Sequence, residues 1–183
     1  MTRVLIPLAE GFEEIEALTV VDVLRRVGVE VVAAGVGRRQ VSGKHGVRVI
    51  ADAVLGEVAD QSFEMIVLPG GVPGVPNLAS DPTVAQIVRA HAGDGAWIAA
   101  ICAAPSILGD LGLLDGKQAT IHPGWRDKLT GGSYREETVV LDGRVVTSRG
   151  PGTALPFALT LARLLVGESR AAEVASAMVT TLP

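Results

Sequence analysis

The chain has 183 residues, a formal net charge of -4 and 48% hydrophobic residues, the size and composition of one globular domain spanning residues 1–183 with a substantial core. The acidic balance, with no Lys/Arg run beyond the pairs Arg25-Arg26 and Arg38-Arg39, leaves no electrostatic footprint for nucleic acid. A single cysteine excludes an internal disulfide, no apolar run approaches the roughly 20 residues of a membrane span, and the chain enters a strand pattern with no leader, so a reducing, cytoplasmic setting is expected.

Residues 3–8 read as a buried strand, and Ala9-Glu10-Gly11-Phe12 as a loop. Helical spacing follows over 13–27. Ile15, Leu18 and Val21 make one apolar stripe and Val20, Val23 and Val27 a second, which predicts a helix buried over a wide arc. Gly28 suits its C-cap, and Arg25 and Arg26 match its negative end. The β-branched run 29–36 is a second strand, which completes a βαβ unit with parallel strands. Glycines punctuate 35–49 as in a hairpin or meander, and 52–60 reads as loop with a brief helical turn. Residues 65–68 form a strand ending in Pro69-Gly70-Gly71. A Pro/Gly loop spans 72–78, and Asp81-Pro82 opens a helix to about 92.

The apolar stretch 97–101 is a buried strand that ends at Cys102. Small residues and Pro105 then lead into a helix over 106–111. A short strand over 118–121 ends at His122-Pro123. Strands 138–141 and 145–148 flank an Asp142-Gly143 hairpin turn. Thr153 is placed to cap a long apolar helix to about 166, and 168–178 forms one more helix. This alternation predicts a mostly parallel sheet covered on both faces. Ligands of such sheets bind beyond the carboxyl ends of the strands.

That rule singles out three strand ends: Gly70-Gly71, Cys102 and His122. At a strand-to-helix junction, unpaired N–H groups and the helix dipole favour a thiolate, so Cys102 reads as a nucleophile or redox sensor. The alternative is a buried cysteine serving as a small hydrophobe. Gly70-Gly71 would bring backbone N–H groups to the sulfur as an oxyanion hole, or serve only a tight turn. Glu16 falls in line with Val20, Val23 and Val27. Buried there it would be held protonated beside the sulfur; frayed into an exposed first turn it would only complement the dipole. His122 is either a proton shuttle or a ring bonded to a turn backbone. His45 lies in the Gly-rich hairpin and His91 on a late, polar helix face. Three histidines and one cysteine form no spaced ligand cluster, so no metal is expected.

Several stretches together resemble the ThiJ/PfpI superfamily in its DJ-one (Parkinsonism-associated deglycase) branch. They are Leu8-Ala9-Glu10-Gly11-Phe12-Glu13-Glu14-Ile15-Glu16, Leu68-Pro69-Gly70-Gly71, Ala99-Ala100-Ile101-Cys102-Ala103-Ala104-Pro105 and Thr147-Ser148-Arg149-Gly150-Pro151-Gly152-Thr153. The resemblance runs from the first strand through the last long helix. It implies a flavodoxin-like three-layer α/β sandwich, a homodimer, and a cysteine, here Cys102, on a nucleophile elbow. It also implies a protonated Glu16 bonded to the sulfur, His122 nearby, and the amides of Gly71 and Ala103 facing the sulfur or a bound oxyanion. The implied activity is that of a glutathione-independent glyoxalase or deglycase acting on methylglyoxal, glyoxal or their adducts without a cofactor. A cysteine-oxidation sensor or redox-regulated chaperone is the alternative. Ala103 stands where PfpI-type proteases carry histidine, which argues against a protease. Lys44-His45-Gly46 stands where relatives often have Ser-Arg-Gly, so His45 replaces an arginine at the pocket mouth.

Overall fold

The computed structural model describes residues 2–183. Its elements in chain order are β1 (Arg3–Leu8), α1 (Glu14–Arg26), β2 (Glu30–Gly35), β3 (Gln40–Ser42), β4 (Arg48–Ile50), β5 (Ala53–Val54), α2 (Leu55–Val58) and β6 (Met65–Leu68). Then come α3 (Gly74–Ser80), α4 (Pro82–Gly93), β7 (Trp97–Ile101), α5 (Pro105–Asp110), β8 (Gln118–Ala119), β9 (Ser133–Tyr134), β10 (Val139–Asp142), β11 (Val145–Ser148), α6 (Ala154–Val166) and α7 (Glu168–Ala177). The central sheet has the order β10-β11-β7-β6-β1-β2-β5, and within it only β10 runs antiparallel to its neighbour. Two aliphatic cores cover it. Val20, Val23 and Leu24 of α1 meet Phe157, Ala158 and Leu161 of α6 on one face. Leu78, Val84, Val88 and Leu108, from α3, α4 and α5, fill the other. This is the flavodoxin-like three-layer α/β sandwich. No helix among the described residues is long and apolar enough to cross a membrane.

β1 lies between β2 and β6, so the chain winds outward in both directions from it. The crevice at such a switch point, outside the carboxyl ends of the strands, is where this topology leaves room for a ligand. The loops after β1 and β6 are laced together there: Glu13 N–H donates to Gly70 O at 2.9 Å and Gly74 N–H to Gly11 O at 3.1 Å. Gly71 has φ 101°, and a Cβ on it would strike Gly11 O and the Glu13 N. Only glycine allows this approach.

Four local expectations are corrected. Ile15 and Leu18 are 55% and 36% exposed, so α1 is buried along the Val20–Val23–Leu24 stripe and not over a wide arc. Residues 74–80, within the expected loop, form α3; Pro76 is tolerated because it sits in the first turn, where its N–H is not needed, and Val75 and Leu78 are buried. β5 is only two residues long and pairs with the end of β2, too short for a periodic signal. Thr153 does not cap α6 with its side chain. Its hydroxyl instead donates to Gly150 O at 2.8 Å and lies 2.7 Å from the Ser148 hydroxyl, closing the loop after β11 on itself.

Phe157 is fully buried between α6 and α1. Phe157→Ala is expected to lower unfolding free energy by about 3–5 kcal/mol in chemical denaturation; a loss below about 1 kcal/mol would contradict this packing.

Candidate active site

Cys102 follows β7 directly and has φ 65°, the left-handed region that a non-glycine residue occupies at a cost of order 1–3 kcal/mol. Two backbone hydrogen bonds hold it there. Its N–H donates to Ser148 O at 3.0 Å, and its carbonyl accepts from His122 N–H at 2.8 Å. Ala103, Ala104 and Pro105 are buried behind it, and Pro105 opens α5 at a position that needs no N–H. The residue thus forms the strand-to-helix elbow and is partly exposed.

Glu16 lies on the buried stripe of α1 and is fully buried. Its Oε2 accepts from Gly70 N–H at 2.8 Å. Its Oε1 has no hydrogen-bond partner, and the carboxyl and the Cys102 side chain both pack against Gly70. Burial pushes the Glu16 carboxyl up to about 7, against the stabilising contacts from Cys102 and the Gly70 amide. Burial also pushes the Cys102 thiol up, and the charge and hydrogen bond of Glu16 add to this, while the amides of Gly71 and Ala103 pull it down. The Glu16 contributions to the thiol act only while that carboxyl is ionised. Burial, not the dipole of the six-residue α5, therefore dominates the sulfur's ionisation. That differs from the expectation that the junction alone favours a thiolate.

Gly70 is packed so closely that a Cβ would lie 2.5 Å from both Cys102 Cβ and Glu16 Oε2. The Gly70 amide holds Glu16, while the amides of Gly71 and Ala103 favour ionisation of the thiol. Gly70 N–H is consequently not free for an oxyanion.

His122 reaches the site by another route than expected. β8 pairs with β9 in a separate two-stranded sheet, so His122 does not stand at an end of the central sheet. Its backbone bond to Cys102 brings it in. The ring Nδ1 accepts from Gly124 N–H at 3.1 Å, so the neutral ring carries its proton on Nε2. Of the two readings of His122, the bond to a turn backbone is present. His91, expected on a polar face, is buried. Its Nε2 accepts from Phe63 N–H at 3.2 Å and its Nδ1 pairs with Ile87 O at 2.8 Å, so the ring is fully used.

A cleft of about 140 Å³ opens onto Cys102, with Gly71, Ala103 and His122 in its wall. Glu13, Lys44 and Pro151, which fell within quoted motifs without a role of their own, also line it, as does Trp125, which did not stand out in the sequence. Trp125 lies one short helical turn beyond His122, a spacing that could have found it. Glu13, Glu14 and His45 come within metal-ligand spacing of one another, a cluster that counting histidines and cysteines did not reveal. Glu14 is already committed there: Oε1 accepts from His45 N–H at 2.7 Å and Oε2 lies 3.1 Å from His45 Nδ1. The cluster anchors the β3–β4 hairpin to the start of α1. A larger cavity of about 690 Å³, at Trp97, Arg144 and His91, lies on the opposite, amino edge of the sheet and holds none of the candidate residues.

The DJ-1/PfpI family profile matches residues 2–164. Protein DJ-1 homolog A of Arabidopsis thaliana is 44% identical over 94% of this chain, which spans only 45% of that longer protein. Glutathione-independent glyoxalase DJR-1.2 of Caenorhabditis elegans is 37% identical over 88% of this chain and 87% of its own length. Among solved structures, Drosophila melanogaster DJ-1beta superposes with a TM-score of 0.96 at 39% identity, covering 98% of both chains. An oxidized Toxoplasma gondii DJ-1 gives 0.95 at 35% identity, covering 98% of this chain and 99% of its own. The chain belongs to the DJ-1/PfpI family.

Proposed function

We propose that the protein, with residues 1–183 working as one domain in a reducing compartment such as the cytoplasm, is a glutathione-independent glyoxalase or deglycase. It would convert α-oxoaldehydes such as methylglyoxal and glyoxal, or their adducts, to α-hydroxy acids with no metal and no organic cofactor. The observation that carries this reading is a partly exposed Cys102 at a left-handed strand-to-helix turn, with a fully buried carboxyl packed against the same glycine. A relative of 37% identity bears the name glutathione-independent glyoxalase, which supports it.

In the reacting form the pair holds one proton, on Glu16, and the sulfur carries the charge. The amides of Gly71 and Ala103 favour that charge against the burial that pushes the thiol up, and the carboxyl is sealed from water. The thiolate adds to the aldehyde carbon, and the C=O electrons become an oxyanion held by those amides and then protonated. The hydrogen on that carbon leaves as a proton, through His122 or Glu16, and returns to the neighbouring carbon by way of an enediol. The product is a thioester. One carbon has been oxidised and its neighbour reduced, so no external oxidant is needed. Water then cleaves the thioester, releasing the hydroxy acid and restoring the thiolate.

A second reading, a cysteine-oxidation sensor or redox-regulated chaperone, draws on the same sulfur. No second cysteine is present to resolve a sulfenate, so one peroxide would give the sulfenate and a second the sulfinate, each with loss of water. The oxidized Toxoplasma gondii relative supports it. Two copies of the chain are proposed to pair through α1, on which Ile15 and Leu18 are exposed, as is Val47 of the hairpin that Glu14 anchors.

Methylglyoxal should be consumed without glutathione, and Cys102→Ser should fall to the buffer background; full activity in that variant would refute the mechanism. Glu16→Gln should lower kcat/KM by about 10²–10⁴-fold. Because the charge and hydrogen bond of Glu16 raise the Cys102 thiol, the rise of the Cys102 alkylation rate with pH should move to lower pH in Glu16→Gln. The same midpoint in Glu16→Gln would contradict the coupling. Mild peroxide adding two oxygens that Cys102→Ala does not take up, with no aldehyde turnover, would favour the sensor.

A further inference from the structure

Two cavities meet at one residue. The cleft on Cys102 measures about 140 Å³, well below the roughly 300–1,000 Å³ of sites that take drug-sized ligands. A neighbouring cavity of about 410 Å³ falls within that range. It is lined by Val75, Pro76 and Ala79 of α3 and by the charged Asp110, Asp127 and Lys128. Trp125 is the one residue that lines both.

Several features fix Trp125 as a wall. It sits in the 3-10 helix Pro123–Lys128, and its N–H donates to His122 O at 2.7 Å, in the residue that is itself tied to the Cys102 carbonyl. It packs, partly buried, against the core cluster that contains Ala103, Ala104 and Ile107. Only 3% of the chain is aromatic, so one of its few large flat side chains stands between the sulfur and the adjacent space. The residues around it on the sulfur side, Gly71 and Ala103, are small.

We infer that Trp125 is the residue that sets substrate size, closing the Cys102 cleft off from the cavity beside α3 so that short free α-oxoaldehydes enter and aldehydes or adducts with a bulky substituent do not. The inference rests on the glyoxalase reading for its substrate and narrows that reading toward free aldehydes over glycated peptides. Removing the indole joins the cleft to a space that can take an aromatic ring.

The test compares wild type, Trp125→Phe and Trp125→Ala on two aldehydes, methylglyoxal and phenylglyoxal. Cys102 alkylation by small iodoacetamide and by bulky N-phenylmaleimide is measured beside it. In Trp125→Ala the phenylglyoxal-to-methylglyoxal ratio of kcat/KM should rise at least tenfold. The maleimide-to-iodoacetamide rate ratio should rise in parallel, with Trp125→Phe in between. The ratios cancel a general loss of folded protein, and the phenylalanine variant keeps the ring plane if the alanine variant is unstable. An alkylation ratio unchanged in both variants overturns the inference. A raised alkylation ratio in a protein that turns over neither aldehyde upholds the wall and refutes the glyoxalase reading instead.

Discussion

The site depends on one juxtaposition, that of the Glu16 carboxyl and the Cys102 side chain, both packed against Gly70. Both are acids, and both are withdrawn from water. Two negative charges at that spacing in a poorly solvated site are costly, so the pair gives up its protons one at a time. Sealing the carboxyl raises its affinity for a proton to near neutrality. A neutral acid beside a sulfur does two things that an ionised one does not. It leaves the sulfur free of a repelling charge, and it has a proton to give.

The fold supplies this contact through backbone geometry. Glu16 is carried on α1, which follows β1; Gly70 follows β6; Cys102 follows β7. The three strands are parallel neighbours, so their carboxyl ends share an edge. Gly70 is the hinge of the arrangement. Its amide fixes one carboxyl oxygen, and its missing side chain lets Cys102 approach. The left-handed turn at Cys102 then lifts the sulfur out of the sheet. The bonds to Ser148 and His122 hold that turn and join β11 and the His122 loop to the same point.

Much of this was legible in the sequence, because the signals were long or chemically sharp. The βαβ start, the hairpin at Asp142-Gly143 and the apolar strand before Cys102 carry strong periodicity. Glu16 in register with Val20 and Val23 left a buried carboxyl and an exposed first-turn one both open, and folding decides for the buried one. What escaped was set by tertiary contact. A two-residue β5 has no period to read. α3 hides behind prolines and glycines that usually mark a loop. Ile15 and Leu18 carry the same apolar signal as core residues, though they face outward. His122 reaches the sulfur through a backbone bond from outside the central sheet, which strand counting does not reveal. Glu13, Lys44 and Trp125 line the cleft from three separate segments, and only folding brings them together.

The account turns on whether a buried acid keeps its proton beside that sulfur. Isotope-edited infrared spectroscopy of the glutamate side chains at pH 6 asks this directly, since free glutamate ionises near about 4.3. The account predicts a protonated-carboxyl C=O band that is missing from Glu16→Gln. Only carboxylate bands at that pH, unaltered by the substitution, would contradict it.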